Sequence, residues 1–279
     1  MPPDGADSAA REAPAGRIVV GGQTMPAGGA VPVRRPPARE PSSTEAGEAA
    51  ALETDPSALR RHAADWTPPA VERPLLSVLL LDDPSLDGAE LAVAALPWPV
   101  SVAIDPAAPG ATERMAAYRA AGVEVLALAE LPARAQPSDA AVAYEAMLAT
   151  LPEAVAVLDL GGGGLAQSGG AGSVALDRLA ERGLGLVLAP AGLGGAERAA
   201  EAAGVPATTI LRDLDANGQD DRVIRRFLDD SARRAGLDGS AVVLARVRAE
   251  TLTALSLWAG ARRAAEVSVA PVSAVLRED

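Results

Sequence analysis

Three carboxylates stand where apolar runs of this chain close. Asp82 and Asp83 follow Leu75–Leu81, and Asp159 falls near the end of Val155–Leu160. Such positions become the C-terminal ends of buried strands, the rim on which parallel barrels carry their chemistry. Hard divalent cations accept oxygen ligands, so Asp82, Asp83 and Asp159 form a candidate carboxylate-only site for magnesium or manganese. Neighbours on a strand point to opposite faces, so Asp82 and Asp83 need not converge. A local role competes with the metal: Asp83-Pro84 reads as a helix N-cap followed by N1.

What the chain lacks excludes most other chemistry. It has no cysteine, so thiolate zinc sites, disulfides and cysteine nucleophiles are out. All 25 basic residues are arginine, which removes the P-loop lysine and any Schiff base. The single histidine is His62, far from the carboxylates in sequence. Ser168 and Ser173 therefore have no imidazole to activate them within the apolar part of the chain. The glycine clusters Gly161–Gly164 and Gly169–Ser173 lack the third glycine of a dinucleotide fingerprint and are read as loop. Asp213-Leu214-Asp215-Ala216-Asn217-Gly218 copies the first half of a calcium loop, but Ile224 stands where the bidentate glutamate belongs. Asp220 or Asp221 is better read as the cap of the following helix.

Positioning these residues falls to a regular alternation. Continuous apolar runs at Leu75–Leu81, Val100–Ile104, Val123–Ala129, Val155–Leu160, Gly185–Leu188, Thr208–Leu211, Ala241–Ala245 and Val267–Val269 read as parallel strands buried on both faces. Between them lie helical segments, among them Leu86–Leu96, Thr112–Ala121, Ala140–Leu151, Gln219–Ala235 and Glu250–Ala265, several stopping at glycine (Gly122, Gly183, Gly204, Gly236). About seven strand–helix repeats predict an α/β fold, a (β/α) barrel of about seven parallel strands, with an open sheet as the competing architecture. Trp98, Trp258, Phe227, Tyr118 and Tyr144 are spread at core-like spacing and form no stacking platform for sugar rings.

Residues 1–72 differ in texture: they are rich in Pro, Ala, Gly, Glu and Ser and are expected to be a disordered tail or linker, leaving 73–279 as the domain. Within the tail, Ser57–Ala64 could form a short helix and Trp66 could pin it to the domain. The net charge of −12 argues against nucleic acid as a partner. No run reaches the length of a membrane span. A long linker without an anchor suggests an internal start at Met1. The expected location is then the periplasm or cell envelope if a signal or anchor precedes it, and the cytoplasm otherwise.

An ordered set of segments resembles the divergent polysaccharide deacetylase family. Leu79-Leu80-Leu81-Asp82-Asp83 looks like its first strand, and Leu96-Pro97-Trp98-Pro99-Val100-Ser101-Val102-Ala103 is similar to its second, with Asp105–Gly110 the turn after it. Ala121-Gly122-Val123-Glu124-Val125-Leu126 resembles its Ala-Gly-His-Glu-Val-Leu segment with valine in the histidine place. Arg212-Asp213 with Asn217, Ala249-Glu250-Thr251-Leu252 with Trp258, and Pro271-Val272-Ser273 resemble later segments. The resemblance implies a barrel and metal-assisted removal of acetyl groups from carbohydrate, with Asp82 as base and Asp83 as metal ligand.

That chemistry uses a metal to polarise the acetyl carbonyl, and a histidine to protonate the leaving amine. This chain departs from the pattern at Leu128 and Ala129, at Asp159, at Leu188, and at Arg246, which takes a histidine's place. The expectation is a non-catalytic binding or scaffold domain without a cofactor, its partner a carbohydrate or an envelope protein. The alternative is an active metal-dependent deacetylase using the three aspartates. Arg246 is expected to face Asp82 and Asp83 and fill the volume a metal would need.

Overall fold

The computed structural model describes residues 57–129, 131, 134–161, 169–190 and 195–277. Residues 1–56, where most of the expected tail falls, lie outside it, as do Gly162–Gly164 and Ser168. The described residues begin with α1 (Ala58–Arg61), β1 (Leu75–Leu81), α2 (Ala89–Ala94), β2 (Ser101–Ile104), α3 (Ala111–Ala120) and β3 (Glu124–Ala129). Then come α4 (Pro137–Thr150), β4 (Ala156–Asp159), α5 (Gly170–Arg182), β5 (Gly185–Leu188), α6 (Gly195–Ala202) and β6 (Ala207–Asp213). The chain closes with α7 (Asp221–Asp238), β7 (Ser240–Arg246), α8 (Ala249–Trp258), β8 (Ser268–Val269) and α9 (Val272–Val275).

β1 to β7 make a closed barrel in which every pairing is parallel, β1 joining both β2 and β7. β7 runs along the whole of one edge of β1. The other edge is divided: Leu79–Leu81 pair with β2, while Leu75 and Leu76 pair with β8. Alternation along the strands sorts side chains into two cores. Leu75, Leu79, Ala103, Leu126, Leu158 and Leu244 fill the barrel, while Leu76, Leu80, Val102, Val125, Val157 and Val243 pack under the helices. Tyr118, Tyr144 and Trp258 are buried core residues, as their spacing implied.

Two helix ends differ from expectation. Gly236 does not stop α7, which runs on to Asp238, and the break is Gly239 at φ 91°. Only glycine adopts that conformation without strain, so the chain turns there into β7. The segment Glu250–Ala265 is α-helical only to Trp258, near Gly260, with a short 3-10 turn at Ala264–Glu266.

Part of the expected tail, Ser57–Trp66, packs on the barrel. Ser57 caps α1 by accepting from the Arg60 amide, and Ala58 and Leu59 are buried. The Leu59 amide donates to the Gly183 carbonyl at 2.9 Å, and Arg119 donates to the His62 carbonyl at 2.6 Å. Trp66 packs against the barrel interior. Ser57–Trp66 is thus a strap across the N-terminal end of the barrel, its helix shorter than the Ser57–Ala64 expected. Burying one leucine side chain stabilises by about 1.5–3 kcal/mol. A chain begun at Arg73 is therefore expected to unfold at least about 2 kcal/mol more easily than one begun at Ser57, measured by urea titration. Equal midpoints would show that the strap contributes nothing.

Candidate functional site

The carboxylates at the C-terminal rim do not meet. Asp82 follows Leu81, an inward residue, and so turns outward to the helix layer, where α3 receives it. Arg114 grips both of its carboxylate oxygens through Nε and NH2, and Tyr118 donates its hydroxyl at 2.7 Å. Arg114 and Tyr118 are four residues apart, on one face of α3. The Asp82 side chain is only 2% exposed. Asp83 is bonded locally: its Oδ1 accepts from the Ser85 amide at 2.9 Å and the Ser85 hydroxyl at 2.7 Å, which lowers its pKa. It caps this turn and not a helix, since α2 starts only at Ala89; the N-cap reading is corrected accordingly.

Asp159 also faces the helix layer, between the inward Leu158 and the half-buried Leu160. Its Oδ1 accepts from the Gly161 amide at 2.8 Å, and its charge acts on Tyr144 of α4. Among the described residues no three His, Cys, Asp or Glu side chains form a group that could hold a metal. His62 lies in the strap at the opposite end of the barrel, where burial lowers its pKa.

Inside the mouth the chemistry differs. Arg246, at the end of β7, points inward with Leu244 and is held by two carboxylates of the Asp213–Gly218 segment. Its NH1 donates to Asp213 at 2.9 Å and to Asp215 at 2.7 Å, and its NH2 donates to Asp213 at 3.0 Å. Both acceptors come from the expected calcium decoy, so those carboxylates serve an internal cation. The expected pairing of Arg246 with Asp82 or Asp83 is not formed. The reason is alternation: Arg246 is in register with the inward Leu81, one residue before the outward Asp82.

Asp215 is the hub of this network. Its side chain has no exposure, and it accepts from the Arg246 amide at 3.0 Å and from the Thr251 hydroxyl at 2.6 Å. Arg248 Nε lies 3.7 Å away. Half-buried Leu81, Leu128 and Leu160 pack on the barrel core at this end. An open cleft of about 230 Å³ lies at the other end, lined by apolar residues such as Val93, Leu96 and Trp98.

Burial and the hydrogen bond to Asp82 raise the pKa of Tyr118, and burial with the nearby Asp159 raises that of Tyr144. A phenol that holds its proton more tightly when folded contributes stability below its unfolded pKa, and loses it as pH rises past that value. Native absorbance near 295 nm is therefore expected to stay flat through about pH 11, rising only as the chain unfolds. Ionisation of either tyrosine in the folded chain near pH 10 would contradict the burial of both.

These features define a closed parallel (β/α) barrel whose rim aspartates are engaged by the protein itself. The profile of the divergent polysaccharide deacetylase family matches residues 79–276, and the chain belongs to that family. Among solved structures, an uncharacterized protein of Agrobacterium tumefaciens superposes with a TM-score of 0.66 at 19% identity, over 78% of this chain and 95% of that one. A protein of Enterococcus faecalis, named for a suggested role in cellobiose-phosphate cleavage, gives 0.54 at 11% identity, over 73% and 99%. At these identities the likeness concerns the fold. No curated protein matches.

Proposed function

We propose that this barrel is a non-catalytic binding or scaffold domain in carbohydrate metabolism of the cell envelope. The observation that supports this reading is the state of the mouth. Arg246 with Asp213 and Asp215 stands there, while Asp82, the base by resemblance, is turned outward and gripped by Arg114. A general base must reach the proton it takes, and a carboxylate held in a bidentate arginine pair is poorly placed to do so. The barrel also offers no histidine to protonate a leaving amine.

No helix among the described residues is long and apolar enough to cross a membrane. An envelope location would rest on a signal or anchor preceding the linker, and the partner would be a carbohydrate or an envelope protein. The test is acetate release from N-acetylated oligosaccharides with added magnesium, manganese or zinc, alongside elemental analysis of the dialysed chain. The expected result is no release above buffer and no stoichiometric metal. Metal-dependent release, lost in Asp83→Asn, would establish the alternative, an active aspartate-only deacetylase.

A further inference from the structure

Glu124 lies on the first residue of β3, at the N-terminal end of the barrel and away from the rim. Its side chain points inward, two residues before Leu126, and the residue has no exposure. Three segments distant in sequence converge on it. Oε1 accepts from the Ser101 hydroxyl of β2 at 2.7 Å and from the Ser273 amide of α9 at 3.0 Å. Oε2 accepts from the Ala64 amide of the strap at 3.2 Å. Ser101 extends the set, since its oxygen accepts from the Val272 amide at 2.9 Å.

The same two chain ends meet again on β5 and the turn before it. A Cβ on Gly183 would come 2.5 Å from Ser57 Cβ of the strap, and one on Gly185 would come 2.5 Å from Leu276 Cδ1 just after α9. Two glycines, two residues apart, thus leave room for the strap and for the C-terminal plug. Leu59 of the strap and Val272, Ala274, Val275 and Leu276 of the plug then share one apolar cluster inside the barrel.

We infer that Glu124 is a clasp: it couples the strap Ser57–Trp66 and the plug Val272–Leu276 into one unit that opens and closes the N-terminal end of the barrel together. A carboxylate is suited to this because both oxygens are acceptors only, and it serves three donors at once. If either end leaves, water reaches the carboxylate and the shared apolar cluster, and the other end loses its partners. By linkage the coupling is reciprocal.

The test is native-state hydrogen exchange by mass spectrometry on the full chain. In Glu124→Gln the side-chain amide can serve only one of the Ala64 and Ser273 amides, whichever way it turns. Ser101→Ala removes the acceptor of Val272, in the plug, and one donor to Glu124, but no bond made by the strap itself. Gly183→Ala crowds Ser57 and Ala58 of the strap and strains its own turn at φ 61°, but touches nothing in the plug. Each variant is expected to raise exchange in both the strap and plug peptides by a similar factor, roughly tenfold, with β7 peptides unchanged. Exchange confined to the plug in Ser101→Ala and to the strap in Gly183→Ala would overturn the coupling. Those two variants decide the matter even if Glu124→Gln fails to fold.

Discussion

Arg114→Ala is expected to cost the fold about 3–5 kcal/mol, enough to consume a large part of the stability of an ordinary domain. The reason is what remains behind. Asp82 is almost fully buried, and without the guanidinium its charge keeps only the Tyr118 hydroxyl and the surrounding dipoles. Removing one partner of a buried pair is far worse than removing both. The double variant Asp82→Asn with Arg114→Ala is therefore expected to recover part of the loss, a coupling read from a double-mutant cycle in urea. Additive losses would mean that Arg114 acts through packing alone.

Asp215→Ala is expected to destabilise by about 3 kcal/mol, with Asp215→Asn intermediate. Asp213 still pairs with Arg246 in that variant, which limits the damage. The Thr251 hydroxyl and the Arg246 amide lose their acceptor, and Thr251 is fully buried. Thr251→Val is expected to show a smaller loss of about 1 kcal/mol, because donor and methyl volume change together. An Asp215→Ala chain that unfolds at the same urea concentration would show that the network is ornamental.

How far the sequence led depends on which interaction sets each feature. The parallel α/β alternation follows from continuous apolar runs, because most of the strands are buried on both faces; closure into a barrel, against an open sheet, does not follow from the runs alone. Arg246, closing the run Ala241–Ala245 in a histidine's place of the resembled family, was expected to face into the mouth. Its partner was not legible. Pairing depends on which face each carboxylate takes, and the bulge between Ile210 and Arg212 shifts the register of Asp213 relative to β7. Asp215 looked like half a metal loop because Asp spacing alone cannot tell a calcium ion from a guanidinium.

The strap was half legible: a short helix within Ser57–Ala64 and an anchoring Trp66 could be read, but composition alone did not separate Ala58 and Leu59 from the linker before them. Glu124 carries a signal of its own. A charged residue opening the apolar run Val123–Ala129 has to be paid for by internal donors, and those donors come from chain segments distant in sequence.

The divided edge of β1 has a consequence for biosynthesis. Among the described strands β1 leaves the ribosome first, but part of one of its edges has no partner until β8, the last of them, is made. The growing chain can lay down β1 to β4 in order, yet the base of β1 stays open until all the other described strands have been made. Exposed edges of this sort invite pairing with other chains. A nascent chain stalled before Ser268 should therefore need a chaperone's shelter that the finished one does not.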